Sequence, residues 1–182
     1  MKMNYVFFSF LFFFLNCSKK DFKQVDFCQL TDSISVILKK EKPNFEKLLV
    51  YDNIKRINDK VIVKYLNENS KKFSKYNFDN YFNNTNSKIN YNLKCQTINS
   101  KAFDIFKEVT KNDFWKNYCS LYGNNDFIVY YEPIFSTDKS EFILYHDIYI
   151  CNLGSYTTLA VYENINEKSR LKKILITSTF SK

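Results

Sequence analysis

His146 is the single histidine of the chain and the first candidate for chemistry. A nucleophile pair needs this histidine beside a cysteine or a serine, and many metal sites use several histidines or cysteines. The serine motif G-x-S-x-G is missing, and two glycines are too few for a phosphate-binding loop. In the strand-like run 142–151, His146 shares a face with Phe142, Leu144, Ile148 and Ile150. We therefore expect a packed histidine, no catalytic residue, no metal site and no cofactor.

Three carboxylates stand near predicted turns and are the next candidates for acid–base chemistry. Asp138 and Glu141 lie close together between two strand-like runs, and Glu132 precedes Pro133. General acid–base catalysis needs a carboxylate whose pKa is shifted by its surroundings. A turn exposed to water explains these three residues better than catalysis does.

Five cysteines divide into one near the start and four in the remainder of the chain. The four are Cys28, Cys95, Cys119 and Cys151, and they allow three disulfide pairings. The alternative is that all four stay reduced and pack as small core residues. We prefer a Cys119–Cys151 bridge, because a predicted helix end and a predicted strand end should meet across the core.

The remaining cysteine, Cys17, closes an apolar run that begins at Tyr5 and reads YVFFSFLFFFL. As a helix this run spans about 16 Å at about 1.5 Å per residue. The hydrocarbon core of a bilayer is about 30 Å thick, so the run is short for a membrane span. Its length and its position after Lys2 are typical of an export signal.

The segment Phe14-Leu15-Asn16-Cys17-Ser18 resembles the signal of bacterial lipoproteins, in which a cysteine follows the apolar run. The resemblance implies that residues 1–16 are removed and that the Cys17 thiol carries a diacylglyceryl group, with fatty acids such as palmitate. It also implies a location in the bacterial cell envelope, in the outer membrane in preference to the inner membrane. Residues 17–26 then form a lipidated N-terminus and tether, and residues 27–182 form a single domain.

The first part of that domain is predicted to be largely helical. Apolar residues recur at helical spacing between about Asp21 and Lys40, where Phe27, Leu30, Ile34, Ile37 and Leu38 share a face. Residues 45–66 are ambiguous between strand and helix. Residues 89–97 alternate as a half-buried strand does, and residues 101–121 return to helical spacing with Ser100 as the N-cap.

Four strand-like runs occupy the last third of the chain: Phe127–Ile134, Phe142–Cys151, Tyr156–Tyr162 and Leu171–Phe180. Short polar connections separate them, which favours antiparallel neighbours. We therefore predict an α+β domain, with N-terminal helices packed on a C-terminal antiparallel sheet of about four to five strands.

The stretch from Phe114 to Ser181 also resembles the C-terminal part of a group of uncharacterised bacterial envelope proteins. The matching phrases are Phe135-Ser136-x-Asp138-Lys139-x-x-Phe142 and Ile150-Cys151-Asn152-Leu153-Gly154. The resemblance implies the same antiparallel meander and supplies no activity.

The charge composition of the chain limits the classes of partner that it is expected to bind. The chain carries 27 Lys and Arg against 19 Asp and Glu, a net charge of +8, and its lysines are scattered and form no long basic arm. For an exported chain this basic balance points to lipid headgroups and not to nucleic acid. We expect a membrane contact through the lipid, a protein partner in the envelope, and a non-enzymatic binding or structural role. The alternatives are a small-ligand-binding periplasmic or surface domain and, less favoured, an envelope hydrolase.

Overall fold

The computed structural model describes residues 25–41, 45, 47–83, 91, 93–110, 113–122, 126–151, 154–165 and 168–180. The helices are α1 (Phe27–Glu41), α2 (Lys60–Glu68), α3 (Phe78–Asn83), α4 (Ser100–Thr110) and α5 (Phe114–Tyr122). The strands are β1 (Leu48–Tyr51), β2 (Thr97–Ile98), β3 (Asp126–Tyr130), β4 (Ile134–Phe135), β5 (Glu141–Ile150), β6 (Gly154–Ile165) and β7 (Lys168–Phe180).

The strands form one seven-stranded sheet in the order β2-β1-β3-β5-β6-β7, with the short β4 also paired to β5. The β1–β2 and β1–β3 pairs are parallel, and every other pair is antiparallel. Gly154 begins β6 at φ 110, a left-handed conformation that glycine adopts without steric cost. This glycine therefore suits the tight connection from β5 to β6.

One face of the sheet is covered by α1 and is called here the α1 face. The helix buries Phe27 and Leu30 and packs Ile34 and Leu38 against the sheet. On the sheet side, the α1 face presents alternate residues of the strands: Leu48, Val50, Ile128, Tyr130, Phe142, Leu144, Ile148, Ile150, Ala160 and Tyr162. Removing this apolar surface from water provides the main stabilisation of the fold.

The opposite face is covered by the other four helices and is called the four-helix face. Two apolar clusters lie on it. The first joins α2 and α3 to β5 and β6 through Ile62, Leu66, Tyr81, Ile143 and Leu159. The second joins α4 and α5 to β1 and β3 through Tyr51, Phe103, Tyr118 and Phe127. Because both faces are covered, nearly every residue of β5 is buried.

The structure confirms an α+β fold and corrects the sheet prediction. The sheet has seven strands instead of four or five, and it is mixed instead of purely antiparallel. The helices alternate with strands along the chain and cover both faces, so they do not form an N-terminal block. The sequence left β1 ambiguous and predicted a longer strand over 89–97 near β2, because β1 and β2 are too short to show alternation and their parallel pairing comes from residues distant in sequence.

The structure also corrects the predictions for one strand and one helix. Of the described residues within 89–97 only Thr97 belongs to a strand, the short β2, although Tyr91, Leu93 and Cys95 do pack against the α1 face. The predicted helix 101–121 is divided into α4 and α5. Inside the ambiguous region, Leu48–Tyr51 is a strand, and Val61–Val63 belong to α2, where Asp59 accepts hydrogen bonds from the first free amides.

Candidate functional site

A row of polar side chains crosses the four-helix face between its two apolar clusters, and we call it the polar row. Its members are Asp59, Tyr131, Tyr145, Asp147 and Thr157. On β5, Asp147 lies between Tyr145, which belongs to the α2–α3 cluster, and Tyr149, which packs on the α4–α5 cluster. Asp147 is 7% exposed. A buried carboxylate of this kind is the strongest candidate for a functional group in the described ranges.

Protein donors occupy both oxygens of the Asp147 carboxylate. The Thr157 hydroxyl donates to Oδ1 at 2.7 Å, and the Tyr131 hydroxyl donates to Oδ2 at 3.2 Å. Tyr145 donates to Oδ2 of Asp59 at 3.4 Å. The other oxygen of Asp59 accepts from two backbone amides at the start of α2. The polar row therefore connects the residue that follows β3 with β5 and β6, and it lies against α2.

Burial raises the pKa of Asp147 above its ordinary value, and the hydrogen bonds from Thr157 and Tyr131 oppose this effect. Burial also raises the pKa of the neighbouring Tyr149 to about 12, and the Asp147 carboxylate adds to that shift. Burial shifts the pKa of Tyr131 upward as well. Both tyrosines therefore remain protonated near neutral pH, and Tyr131 donates its hydroxyl proton to the carboxylate.

The hydrogen bonds of the polar row are suited to holding the strands together. General acid–base catalysis needs a carboxyl group that can reach a substrate proton. In the polar row the carboxylate oxygens already accept hydrogen bonds from the protein. No group of three His, Cys, Asp or Glu side chains within reach of one metal ion occurs among the residues that the structure describes. Sequence reasoning missed Asp147 because it considered the His146 side of β5, although alternation also places Tyr145, Asp147 and Tyr149 on one face.

His146 lies on the opposite, α1 face of β5 and is 3% exposed, as the strand alternation predicted. Its ring packs 5.8 Å from that of Tyr130, between centroids. Burial lowers its pKa to about 4. Within the described part of the chain, its Nδ1 atom has no hydrogen-bond partner. The structure pairs the four cysteines Cys28, Cys95, Cys119 and Cys151 with one another, so it does not form a cysteine–histidine pair.

The turn carboxylates Asp138 and Glu141 have different environments. Asp138 is exposed, and hydrogen bonds from Ser136 and Ser140 lower its pKa to about 2. These bonds close the turn before β5. The interpretation of an exposed turn holds for Asp138.

The same interpretation is wrong for Glu141, which is 8% exposed. Its Oε2 atom accepts from Lys75 at 2.5 Å and from Tyr76 at 2.8 Å, and its Oε1 atom accepts from Lys172 at 2.5 Å. Burial raises the pKa of Glu141, but these three donors outweigh burial and lower it to about 2. Glu132 likewise accepts from the Arg56 Nε atom at 2.8 Å and is not an isolated turn residue.

The structure joins the four cysteines of the domain into two disulfides. Cys119 of α5 is bonded to Cys151 at the end of β5, with 5.8 Å between their Cα atoms. This is the pair that the sequence analysis preferred. The second bridge joins Cys28 of α1 to Cys95, just before β2, with 5.4 Å between Cα atoms. Both distances lie in the usual range for disulfides.

An open depression of about 400 Å³ lies along the outer side of α2. Its lining residues are Asn58, Lys60, Val63, Lys64, Asn67 and Glu68. A small-ligand site is usually concave and lined by apolar and aromatic side chains with a few polar groups. Apolar atoms form most of the surface of this depression, but it is open to solvent and no aromatic ring lines it, so it differs from the enclosed, aromatic-lined site expected for the ligand-binding alternative.

The predicted export signal 1–16, the lipidation residue Cys17 and most of the tether lie outside the described residues. Among the helices that are described, none is both long enough and apolar enough to cross a membrane. Comparison of the chain with protein-family models, with curated protein sequences and with solved structures found no match.

Proposed function

We propose that the chain is a lipid-anchored protein of the bacterial cell envelope, held in the outer membrane in preference to the inner membrane. The observation that carries this proposal is the division of the five cysteines. Four of them pair with one another inside the domain, and Cys17 is left directly after the apolar run. Structural disulfides persist outside the cytoplasm, where the environment is oxidising. The cysteine pairs therefore support the export that the N-terminal sequence predicts.

The anchor follows from the chemistry of Cys17. Each buried CH₂ group contributes about 0.8 kcal/mol, so one acyl chain binds a membrane weakly and two or three bind it firmly. Lys19, Lys20 and Lys23 stand beside the lipidated residue. Near anionic headgroups each of these charges adds about 1 kcal/mol. The domain would thus remain attached to one membrane surface.

We further propose that the domain has a binding or structural role and not an enzymatic one. The titratable side chains most suggestive of catalysis are engaged inside the protein. His146 is buried, Glu141 is paired with two lysines, and both oxygens of Asp147 accept hydrogen bonds. A domain of this kind acts through its outer surface, so the expected partner is another envelope protein.

Metabolic labelling with a palmitate analogue tests the anchor. The wild-type chain and the control Ser18→Ala should incorporate the label and lose residues 1–16. Cys17→Ala should remain an unlabelled precursor of higher mass, because the thiol that receives the lipid is missing. Equal labelling of Cys17→Ala and the wild type would contradict the proposal.

A further inference from the structure

The outer edge of β7 is open in the part of the chain that the structure describes. β7 is the last strand in the sheet order, and it extends over 13 residues, Lys168–Phe180. An open edge presents backbone N–H and C=O groups that can pair with another strand. Natural proteins block such edges with charges, prolines, bulges or a covering element.

The charges on β7 protect only half of the strand. Lys168, Arg170, Lys172 and Lys173 all lie in its first part. The second part, from Ile174 to Phe180, reads ILITSTF and contains no charge, proline or glycine. These residue types have high β-propensity. The second half of β7 is therefore suited to strand pairing.

Exposed apolar side chains lie next to this edge. On β7, Leu171 is 44% exposed and Ile174 is 51% exposed, and the register with β6 places both on the α1 face. On α1, Val36 is 60% exposed and Ile37 is 53% exposed. Ile37 was predicted to share the buried face of this helix, so its exposure is a departure from the sequence pattern.

α1 crosses the sheet from the β2 edge toward the β7 edge. The start of α1 is bonded through Cys28 to Cys95 near β2, which is the opposite edge of the sheet. The helix also contacts β7, so we infer that its second half lies near the β7 edge. Exposed apolar side chains beside an open edge, such as Leu171 and Ile174, are typical of interaction surfaces.

We propose that a second copy of this chain occupies the edge, with the two β7 strands antiparallel about a two-fold axis close to Ile174. The charge pattern favours this partner and this direction. In a parallel pair, the basic halves of the two strands would face each other and repel. In the antiparallel pair, each basic half lies beside the uncharged half of the other copy. The same surface is used twice, as a two-fold interface requires.

An anionic membrane is the competing occupant, because exposed aliphatic and basic side chains also suit headgroups. A membrane leaves the backbone groups of the β7 edge without strand partners, whereas a second β7 pairs them. The dimer therefore accounts for the open edge, the exposed apolar pair on β7 and the uneven charge together. It does not depend on lipid at Cys17.

Cysteine crosslinking in intact cells tests the pairing on the full chain. Single substitutions Leu171→Cys, Ile174→Cys, Thr177→Cys and Thr179→Cys place a thiol along one exposed face of β7. The matched control is Val61→Cys, which is 72% exposed on α2. A short, membrane-permeable bis-maleimide joins two thiols only when they are held close together.

The dimer predicts that crosslinked chain is most abundant at Ile174→Cys and falls on either side, toward Leu171→Cys and Thr177→Cys. The yield at the maximum should exceed that of Val61→Cys roughly tenfold, because pairing raises the local thiol concentration. Adding Ile174→Lys to Thr177→Cys should reduce the yield at least about fivefold, since two lysines then face each other near the axis. Adding Val61→Lys should leave the yield unchanged.

Four results would overturn the dimer. The first is a flat profile along β7, and the second is a yield no higher than at Val61→Cys. The third is an adduct whose mass shows a different protein. The fourth is a monomeric chain whose Ile174→Cys thiol is shielded from a water-soluble maleimide only when membranes are present, which would assign the surface to lipid instead.

Discussion

The carboxylate of Glu141 connects two distant segments of the chain. Lys75 and Tyr76 approach it from the segment between α2 and α3, and Lys172 approaches it from β7. Removing one partner of such a set leaves the remaining charges uncompensated. Because the two lysine side chains are 53% and 47% exposed, water reduces that cost. The contribution of Glu141 is therefore moderate.

Glu141→Gln should lower the free energy of unfolding by about 1–2 kcal/mol, because hydrogen bonds to a charged group are lost. Urea denaturation at pH 7 measures the change. Glu68→Gln is the matched control, since Glu68 forms an exposed ion pair with Lys64 on α2. Its loss should cost at most about 0.5 kcal/mol. Equal effects of the two substitutions would show that Glu141 has no special role.

Asp147 offers a test that separates its charge from its hydrogen bonds. Asp147→Asn keeps the size and an acceptor for the Thr157 hydroxyl, and it removes a buried charge. We expect it to change the free energy of unfolding by less than about 1 kcal/mol. Asp147→Ala leaves two hydroxyls without their acceptor and should cost about 2–3 kcal/mol. If the asparagine variant were the less stable of the two, the polar row would depend on the charge itself.

His146 makes the stability of the domain depend on pH. Burial lowers its pKa to about 4, whereas an unfolded histidine titrates near pH 6.5. Between these values the unfolded chain binds a proton that the folded chain does not. The free energy of unfolding should therefore decrease by about 3 kcal/mol between pH 7 and pH 4 on account of His146.

Urea denaturation of the wild type and of His146→Phe across this pH range isolates the effect of the histidine. The other titratable groups contribute equally to the pH dependence of stability in both proteins. The lowered pKa of Glu141 reduces stability only below about pH 4.5, and the raised pKa of Asp147 favours the fold as the pH falls. The difference between the two curves should therefore reflect His146. Parallel curves would mean that the buried ring is protonated as easily as in the unfolded chain.

At the scale of the elements, local patterns were enough to find α1 and the strands β3, β5, β6 and β7. The helical spacing of Phe27, Leu30, Ile34 and Leu38 corresponds to the face that α1 buries. The last strand-like runs correspond to an antiparallel path, because short polar connections leave neighbouring strands no other arrangement. These elements were readable because their partners are close in sequence.

Elements whose partners are distant could not be predicted in this way. β1 pairs in parallel with β3, across a separation that contains four helices and β2. Nothing in the four residues Leu48–Tyr51 indicates that pairing. Asp147 was overlooked, and Glu141 was misjudged, because local patterns do not show contacts with distant segments. Their burial depends on side chains from other segments, such as Thr157 and Lys75, and not on their neighbours in the chain.

Each disulfide joins a helix to a segment of the sheet region. One joins α1 to the residues just before β2, and the other joins α5 to the end of β5. The Cys28–Cys95 bridge closes a separation of 67 residues, and the Cys119–Cys151 bridge closes one of 32. Loop-closure entropy gives each bridge a contribution of about 4 kcal/mol. Cys119→Ala with Cys151→Ala should lower the free energy of unfolding by about this amount, as should Cys28→Ala with Cys95→Ala. Stability equal to that of the wild type, in unreduced protein, would show that the bridge is not formed.

At the scale of the whole molecule, the covered faces of the sheet stabilise the fold, and the open parts are left for contacts with other molecules. Helices cover both faces of the sheet, and the buried polar groups serve its cohesion. In our proposals, the β7 edge is the surface for a second copy, and the N-terminal segment is the attachment to a membrane. A dimer with two lipidated N-termini would be held more firmly than a single chain, since the anchors act together.

Mass spectrometry of the native protein, extracted with detergent from the envelope of its own cells, tests the central proposal most directly. We predict an N-terminal peptide that begins at Cys17 and carries a diacylglyceryl group, often with a further acyl chain on its amino group. The same spectrum should contain no peptide from residues 1–16. A chain that begins at Met1 and carries no lipid would contradict both the anchor and the location.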